Sequence, residues 1–560
     1  MENSSLSHTG ESHVISSDGS RRGGWITFPF TIGALLGLTF AVGGWLSNLL
    51  VFLVQEFNVN SIDAAQITNV VNGSFTFFPV LGAIIADSSF GPFLVITISS
   101  CLSLLGIVLL TLTETFDSLK PQPCVIGSEI CQSTTALQYT ILYAGLILGS
   151  LGVGGTRFTL ATMGANQFDK PKHQKTFFNW FFITIYCGST LALTVIVYME
   201  DNMGYKWGFG LAVAANVIAM AIFLSGTRFY RHCKPRGSPF VGLTRVVVAA
   251  TRKRNLLLSS ESKDYCYYGQ EGLTGPDGVA TTPSKRFSFF NRAAQKVEGD
   301  MKPDGNIAKP WRLCTVHQVE DFKTLLRLMP LWSASIFLST PIAIQSSLTI
   351  VQALTMDRHL GPHFLIPAGS VTVVVLITGA IFVALIDGML CPVWQKLTGH
   401  SPTPLQRIGI GHILTVLTMV VSALVESKRL KISQEHPGAT TVPMLALWLF
   451  PQFALVGIGE AFHFPAQIAL YYQEFPSSLK NTATAMISLV IGISFYLSTG
   501  IVDFVQRVTS WLPNNINDGK LENVYWMLVV IGVVNFVYYL VCANLYEYQN
   551  LSDADSSDDK

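Results

Sequence analysis

Two charged residues interrupt otherwise apolar runs, and their chemistries are complementary. Arg157 lies in GVGGTRFTLATMGANQFD and Glu460 in ALVGIGEAFHFPAQ. A charge inside a membrane-length segment is costly to bury, so each is a functional hypothesis. Arginine keeps its proton at physiological pH and offers a planar fork of donors that matches an oxyanion. A carboxyl group in a dry cavity can hold a proton, which casts Glu460 as a titratable partner. His463 follows Glu460 by three residues and shares roughly its helical face, where a histidine can respond to pH. The three together describe a site that attracts an anion and titrates beside it. The competing account is structural: an ion pair that clamps two helices, with His463 as a packing residue.

A second constellation is GAIIADSSFGPF, residues 82–93. Gly82 and Gly91 permit close helix approach and a tight turn. Asp87 between them can accept from backbone N–H groups or from a basic residue of a neighbouring helix. That spacing suits a latch which breaks when two bodies rock, although a turn with a capping Asp would use the same residues. Two further clusters of small residues, GVGG at 152–155 and GIGE at 457–460, allow helices to pack closely whether or not the parts move. Aromatics crowd FFNWFF at 177–182, of which one or two can line a cavity.

The elements that must position these groups are membrane helices. Apolar residues make up 49% of the 560 and charged residues 13%, and mean hydropathy is +0.43. A soluble globular protein carries about 25% charged residues, so the deficit fits a lipid-facing surface. A bilayer core needs about 20 mainly apolar residues per helix. Such stretches are predicted near 28–54, 63–86, 93–113, 138–163, 176–198 and 207–226. A second set is predicted near 324–346, 366–388, 406–425, 443–468, 482–502 and 524–545. The organisation is then a cytosolic tail (1–24), a six-helix bundle (25–226), a cytosolic linker (227–322), a second six-helix bundle (323–546) and an acidic cytosolic tail (547–560).

Charge fixes the expected orientation. Eighteen of the 36 Lys and Arg fall within 228–327, which places the linker, and with it both termini, in the cytosol. KPKHQK at 170–175 agrees; ESKRLK at 426–431 falls on the opposite side and does not. The polar N-terminus lacks the apolar stretch of a cleaved signal peptide. A net charge of +1 gives no field that would point to nucleic acid. Nine cysteines are too few for a disulfide scaffold, but Cys124 and Cys131 share a polar loop assigned outside the cytosol and form a candidate disulfide. No phosphate-binding loop, metal-ligand spacing or catalytic constellation is present, so no enzyme activity, cofactor or metal is expected, and uphill work would have to draw on ion gradients.

Six helices, a linker and six more is the organisation of major-facilitator transporters, in which two pseudo-symmetric bundles rock around a midplane site. The chain also resembles the plant nitrate/peptide branch of the proton-coupled oligopeptide transporter family over residues 25–548. The resemblance rests on GAIIADSSFG, GVGGTRFTLATMGANQFD, FFNWFFITIYCGS, WRLCTVHQVEDFK, QALTMDRHLGPHF and ALVGIGEAFHFPAQIALYYQEFP, in that order. It implies that Glu460 retains the family's tenth-span acid and that Gln345 matches its seventh-span glutamine. It implies departures as well. The family's Glu-x-x-Glu-Arg motif and nearby tyrosine pair correspond to Leu35, Leu38, Thr39, Val42 and Gly43, all changed. The fourth-span lysine is Arg157, a second tenth-span acid is Ala469, and the histidine of one nitrate carrier is Ala343.

Loss of that motif removes a clamp for a peptide carboxylate and two proton carriers, and the pattern is similar to the nitrate excretion subgroup. GGWITFPF and GISFYLST at 492–499 resemble that subgroup too. The resemblance implies alternating-access transport of a small inorganic anion, nitrate or chloride, outward at the plasma membrane and with weakened or absent proton coupling. The alternatives are a proton symporter of peptides or acidic metabolites, and a non-transporting receptor or regulatory subunit. The fold class expected is all-α, with twelve membrane helices in two bundles. The expected partners are the anion, the bilayer and, if coupling survives, protons.

Overall fold

The computed structural model describes residues 22–86, 90–122, 134–231, 239–259, 261–267, 283–302, 307–437, 441–474 and 480–546. Asp87, Cys124 and Cys131 lie outside them. Among the described residues twelve helices are long and apolar enough to cross a membrane. In order they are Gly24–Ser47, Ser61–Ile85, Pro92–Thr115, Ala136–Ala165, Thr176–Met203, Tyr205–Arg228, Val316–Leu354, Ala368–Thr398, Pro404–Glu435, Ala446–Tyr471, Met486–Val508 and Leu521–Leu545. They are called the first to twelfth spans below. Three of them begin at a capping box, with Thr135, Thr315 and Thr403 each accepting from the backbone N–H of the Gln three residues on; this satisfies backbone donors that a helix start otherwise leaves orphaned.

The packing repeats with a period of six spans. In the first half the third span packs on the fourth and sixth, the first on the fifth and sixth, and the second on the fourth. Adding six to each ordinal gives the pairs of the second half: ninth on tenth and twelfth, seventh on eleventh and twelfth, eighth on tenth. Between the halves the second span packs along the eleventh and seventh, and the fifth touches the eighth. The second–eleventh seam is close because glycines meet there: a Cβ on Gly492 would lie 3.1 Å from the Gly73 carbonyl oxygen. Ser74 and Tyr496 share a hydroxyl hydrogen bond of 2.7 Å across it.

With six spans in each half, both termini and the linker emerge at one end, the near end. At the opposite, far end the halves are joined through loops. Arg358 Nη1 lies 3.8 Å from Asp201 Oδ2, Ser370 Oγ donates to the Leu193 carbonyl at 2.7 Å, and Ser61 Oγ donates to the Asn514 carbonyl at 3.1 Å. Small ribbons finish this end: Met356–Asp357 runs parallel to Val442–Leu445, and His359–Leu360 pairs antiparallel with Phe364–Leu365.

Several boundaries differ from the sequence expectation, among them the ends of the seventh and eighth spans, at Leu354 and Thr398, and two have a physical reason in the contacts they make. The ninth span continues from the predicted end at 425 to Glu435 and takes ESKRLK into the helix. Arg429 and Glu426 are fully buried there as a two-pronged ion pair, Nε to Oε2 and Nη2 to Oε1 both at 2.7 Å. Gln352 also donates to Glu426, at 2.5 Å, and Arg429 donates to Thr355 and Asn517. Lys428 rests its ammonium 3.5 Å from the Trp448 ring centroid. The segment that broke the charge rule thus holds a cation neutralised within the protein. The seventh span starts at Val316, eight residues before the predicted 324, and its 39 residues make it about 58 Å long, well beyond a hydrocarbon core.

That extension docks the linker, which is not a bare polar connector. The helix Pro239–Arg252, the turn Ser288–Ala293 and the start of the seventh span enclose Val246, Ala249, Ala250, Cys314 and Val319. Lys253 and Asp300 form a buried ion pair at 2.8 Å, and Lys323 donates to Ser284 and Glu320.

Two outcomes follow from these contacts. Arg429→Ala leaves Glu426 buried without its cation, a loss of roughly 3–5 kcal/mol. The purified variant should melt well below the parent, and the double change Arg429→Met with Glu426→Gln should recover much of the difference. In the linker, burial pushes the Cys314 thiol up to about 11 and Cys266 in the same direction. Near pH 8 roughly one Cys314 thiol in a thousand is then thiolate. Maleimide should label Cys314 on the order of a hundredfold more slowly than an exposed thiol, as followed by mass spectrometry of the linker peptides.

Candidate functional site

A cavity of about 360 Å³ lies between the halves, walled by the first, second, fourth and fifth spans on one side and the seventh, eighth and tenth on the other. Its charged liners are Arg157 and Glu460. Each reaches the wall by the same device. On the second span, a Cβ at Gly82 would lie 2.7 Å from the Gly154 carbonyl oxygen and 2.8 Å from the Gly155 Cα, so only glycine allows the second and fourth spans to approach this far. Gly154 stands one turn before Arg157. In the other half a Cβ at Gly457 would lie 2.5 Å from the Val375 carbonyl oxygen and 3.0 Å from the Gly379 nitrogen, and Gly457 stands one turn before Glu460. The clusters GVGG and GIGE are therefore symmetry-related contacts, and each aims a charge at the cavity.

The charges are not spent on each other. Among the described residues neither Arg157 nor Glu460 has an ion-pair or hydrogen-bond partner, so the helix-clamping account fails. The Arg157 guanidinium carbon sits 5.3 Å from the ring centroid of Phe75, a contact that steadies a cation at modest energy without using its donors. Tyr186 lies within electrostatic reach of both charges. Phe75 and Tyr186 carried no signal in the sequence, and only the fold shows what they face.

The five changed positions of the first span, Leu35, Leu38, Thr39, Val42 and Gly43, all line the cavity. The first-span wall of the cavity is therefore neutral. Gln345 lines it from the seventh span, is fully buried, and has no partner for either amide atom among the described residues. Ala343, the place of the nitrate carrier's histidine, is buried on the same helix but is not a liner. Thr156, Ser189, Ser346 and Thr372 add hydroxyls to the wall.

His463 is not brought to the cavity. Three residues of helix turn it about 60° away from Glu460, enough to bury it against the ninth span, where a Cβ on Gly411 would lie 2.7 Å from the His463 Cβ. The neighbouring His412 stacks on Tyr539 at 4.4 Å. Of the candidate latch, Gly82 makes the close approach described above. Gly91 takes φ +75°, a conformation natural to glycine alone, as it enters the third span.

Similarity to known proteins is extensive. Residues 93–526 match the POT family (PTR2). Protein NRT1/PTR FAMILY 2.7 of Arabidopsis thaliana is 54% identical over 554 residues, covering 98% of both chains. Protein NRT1/PTR FAMILY 2.3 of the same plant is 52% identical over 551 residues, covering 98% of this chain and 97% of its own. Among solved structures, an auto-inhibited POT family peptide transporter superposes with a TM-score of 0.71 at 19% identity, covering 93% of this chain and 97% of its own. The POT family transporter PepTSo superposes at 0.69 and 18%, covering 94% and 99%. At these identities the structural likeness bears on the fold, a two-bundle major-facilitator architecture.

A buried amide with neither atom satisfied is destabilising by about 1–3 kcal/mol relative to an apolar group of the same shape. Gln345→Leu should therefore raise the thermal midpoint of the purified protein while depressing its transport. A purely packing role for Gln345 would leave transport intact.

Proposed function

We propose that this chain, which belongs to the POT family, carries a small inorganic anion, nitrate or chloride, across the plasma membrane by alternating access. The observation that supports this most is the charge inventory of the cavity: a fixed cation, Arg157, with unspent donors, facing a wall whose first-span positions are neutral. A planar trigonal oxyanion fits the guanidinium fork through two parallel hydrogen bonds. The Gln345 amide supplies a further donor, and Glu460 limits the net positive field so that the anion can leave again. In this reading Gly82 and Gly91 belong to the near-end gate and the near end is cytosolic.

Coupling to protons is weakened because the first-span wall has no titratable group, which leaves Glu460 as the cavity's acid. The membrane potential, negative inside, then favours outward movement of an anion by about 2.3 kcal/mol per charge per 100 mV. A second reading keeps a foothold because the cavity holds one group of each sign: a zwitterionic peptide can place its carboxylate on Arg157 and its amine on Glu460.

Purified protein in liposomes separates the two, with membrane potential and pH gradient set independently. Nitrate flux should follow potential alone, fall to background in Arg157→Ala, recover in part in Arg157→Lys, and ignore an added dipeptide. Undiminished nitrate flux in Arg157→Ala would end the anion reading. Competition by the dipeptide together with a need for a pH gradient would favour the zwitterion.

A further inference from the structure

Away from the cavity, at the far end of the fifth span, a carboxylate is buried without a counter-ion. Glu200 is 2% exposed. One of its oxygens, Oε2, accepts from Asn48 Nδ2 at 2.9 Å, and the other, Oε1, has no partner among the described residues. No Lys, Arg or His among those residues pairs with it. Room for the carboxylate comes from Gly208 on the sixth span, where a Cβ would lie 3.0 Å from Glu200 Cδ and Oε1.

The groups around it make an ionised state harder to hold. Asp201 is next in the chain, and its charge is taken up by Arg358 of the other half at 3.8 Å. From the sixth span Tyr205 faces the same Asn48 amide at 3.4 Å and donates to Gln55. Beyond Tyr205 lie Glu56 and Glu114, both held by Lys120 at 2.8 Å. Arg358 and Lys120 are thus each committed to another carboxylate. A buried ion with one hydrogen bond and no counter-charge is penalised by several kcal/mol, and such a group neutralises instead.

The same spot is where the halves meet. Gly369, at the start of the eighth span, presses on Asn48: a Cβ there would lie 2.6 Å from Asn48 Oδ1. Its neighbour Ser370 donates to the Leu193 carbonyl, which belongs to a π-helical turn, Ala192–Ile196, in the fifth span. π turns mark places where a helix gives up regular bonding, often for function. Parting these contacts would open the far end and let water reach Glu200 beneath them.

We propose that Glu200 is the proton-binding site of the far gate. Its carboxyl takes a proton from far-side water as the gate closes, holds it while Asn48 is pinned by Gly369, and returns it to far-side water when the gate opens. Alkaline conditions on the far side would favour the open gate. The inference concerns the gate and not the solute, so it stands or falls separately from the anion reading.

Genetically encoded spin labels at 203 and 360 report the gate directly, since Met203 and Leu360 are exposed far-end residues of opposite halves. Distances are measured by double electron–electron resonance in nanodiscs without solute, from mildly acidic to mildly alkaline pH. In the parent the long-distance population should grow as pH rises. In Glu200→Gln, which keeps the size and hydrogen bonding of the protonated acid, that growth should vanish and the short distance persist. Asp201→Asn should loosen the gate at every pH yet keep its pH dependence. Asn48→Ala removes the amide that the closed gate holds against both Glu200 and Gly369 and should shift the opening to lower pH, which tests the site even if Glu200→Gln fails to fold. A parent distance that ignores pH, a Glu200→Gln protein that follows pH as the parent does, or an Asn48→Ala transition that does not move would each overturn the proposal.

Discussion

Closest approach between helix backbones is the constraint on which this molecule depends. Gly82 against Gly154, and Gly457 against Val375 and Gly379, bring paired spans nearer than any side chain would allow. In a membrane, where lipid tails leave little hydrophobic drive for helices to associate, such van der Waals contact is a main source of cohesion. It also fixes azimuth. A helix held at one glycine face presents the residue one turn later in a set direction, and in both halves that residue carries the charge. Cohesion and site geometry are therefore one feature, repeated by the six-span symmetry.

A second theme is how charge is distributed through the apolar volume. At the far end of the second bundle, Arg429 and Glu426 neutralise each other and are saturated with hydrogen bonds. In the linker Lys253 and Asp300 form a buried ion pair at 2.8 Å. Arg157 and Glu460 instead keep their bonding capacity, as does the amide of Gln345. Paired charges stabilise a shape, whereas unspent ones are held at a cost in stability that a ligand can offset on binding.

The sequence shows the spans well because about 20 apolar residues in a row is a strong, one-dimensional signal. Helix ends are less legible. The seventh span's true start was written in Thr315-Val316-His317-Gln318, a capping box, but falls in polar sequence where hydropathy gives no lead. The ninth span's end was hidden because Glu426 and Arg429 read as loop charges until each is seen to satisfy the other. The cavity's charges and its five neutral first-span positions could be named from sequence, since charge in an apolar run and departure from a motif are local facts. The burial of His463 against Gly411 and the place of Phe75 beside Arg157 depend on helix rotation, which no local pattern specifies. Glu200 drew no notice for the opposite reason. In TVIVYMEDN it looks like an ordinary loop acid, and only the approach of Gly208 and Asn48 shows it buried.

The length of the seventh span has a mechanical consequence. Gln345 in the cavity wall and Val316 in the linker's core stand on one helix, 29 residues apart in the chain, or about 44 Å along its axis. Such a helix is a lever. Each degree of tilt at the cavity displaces the linker end by about 0.8 Å at that radius. Pro330 and Pro341 set the two points where the backbone ladder is interrupted and the arm can bend. A shift too small to register among cavity side chains is thus magnified at the surface of the linker.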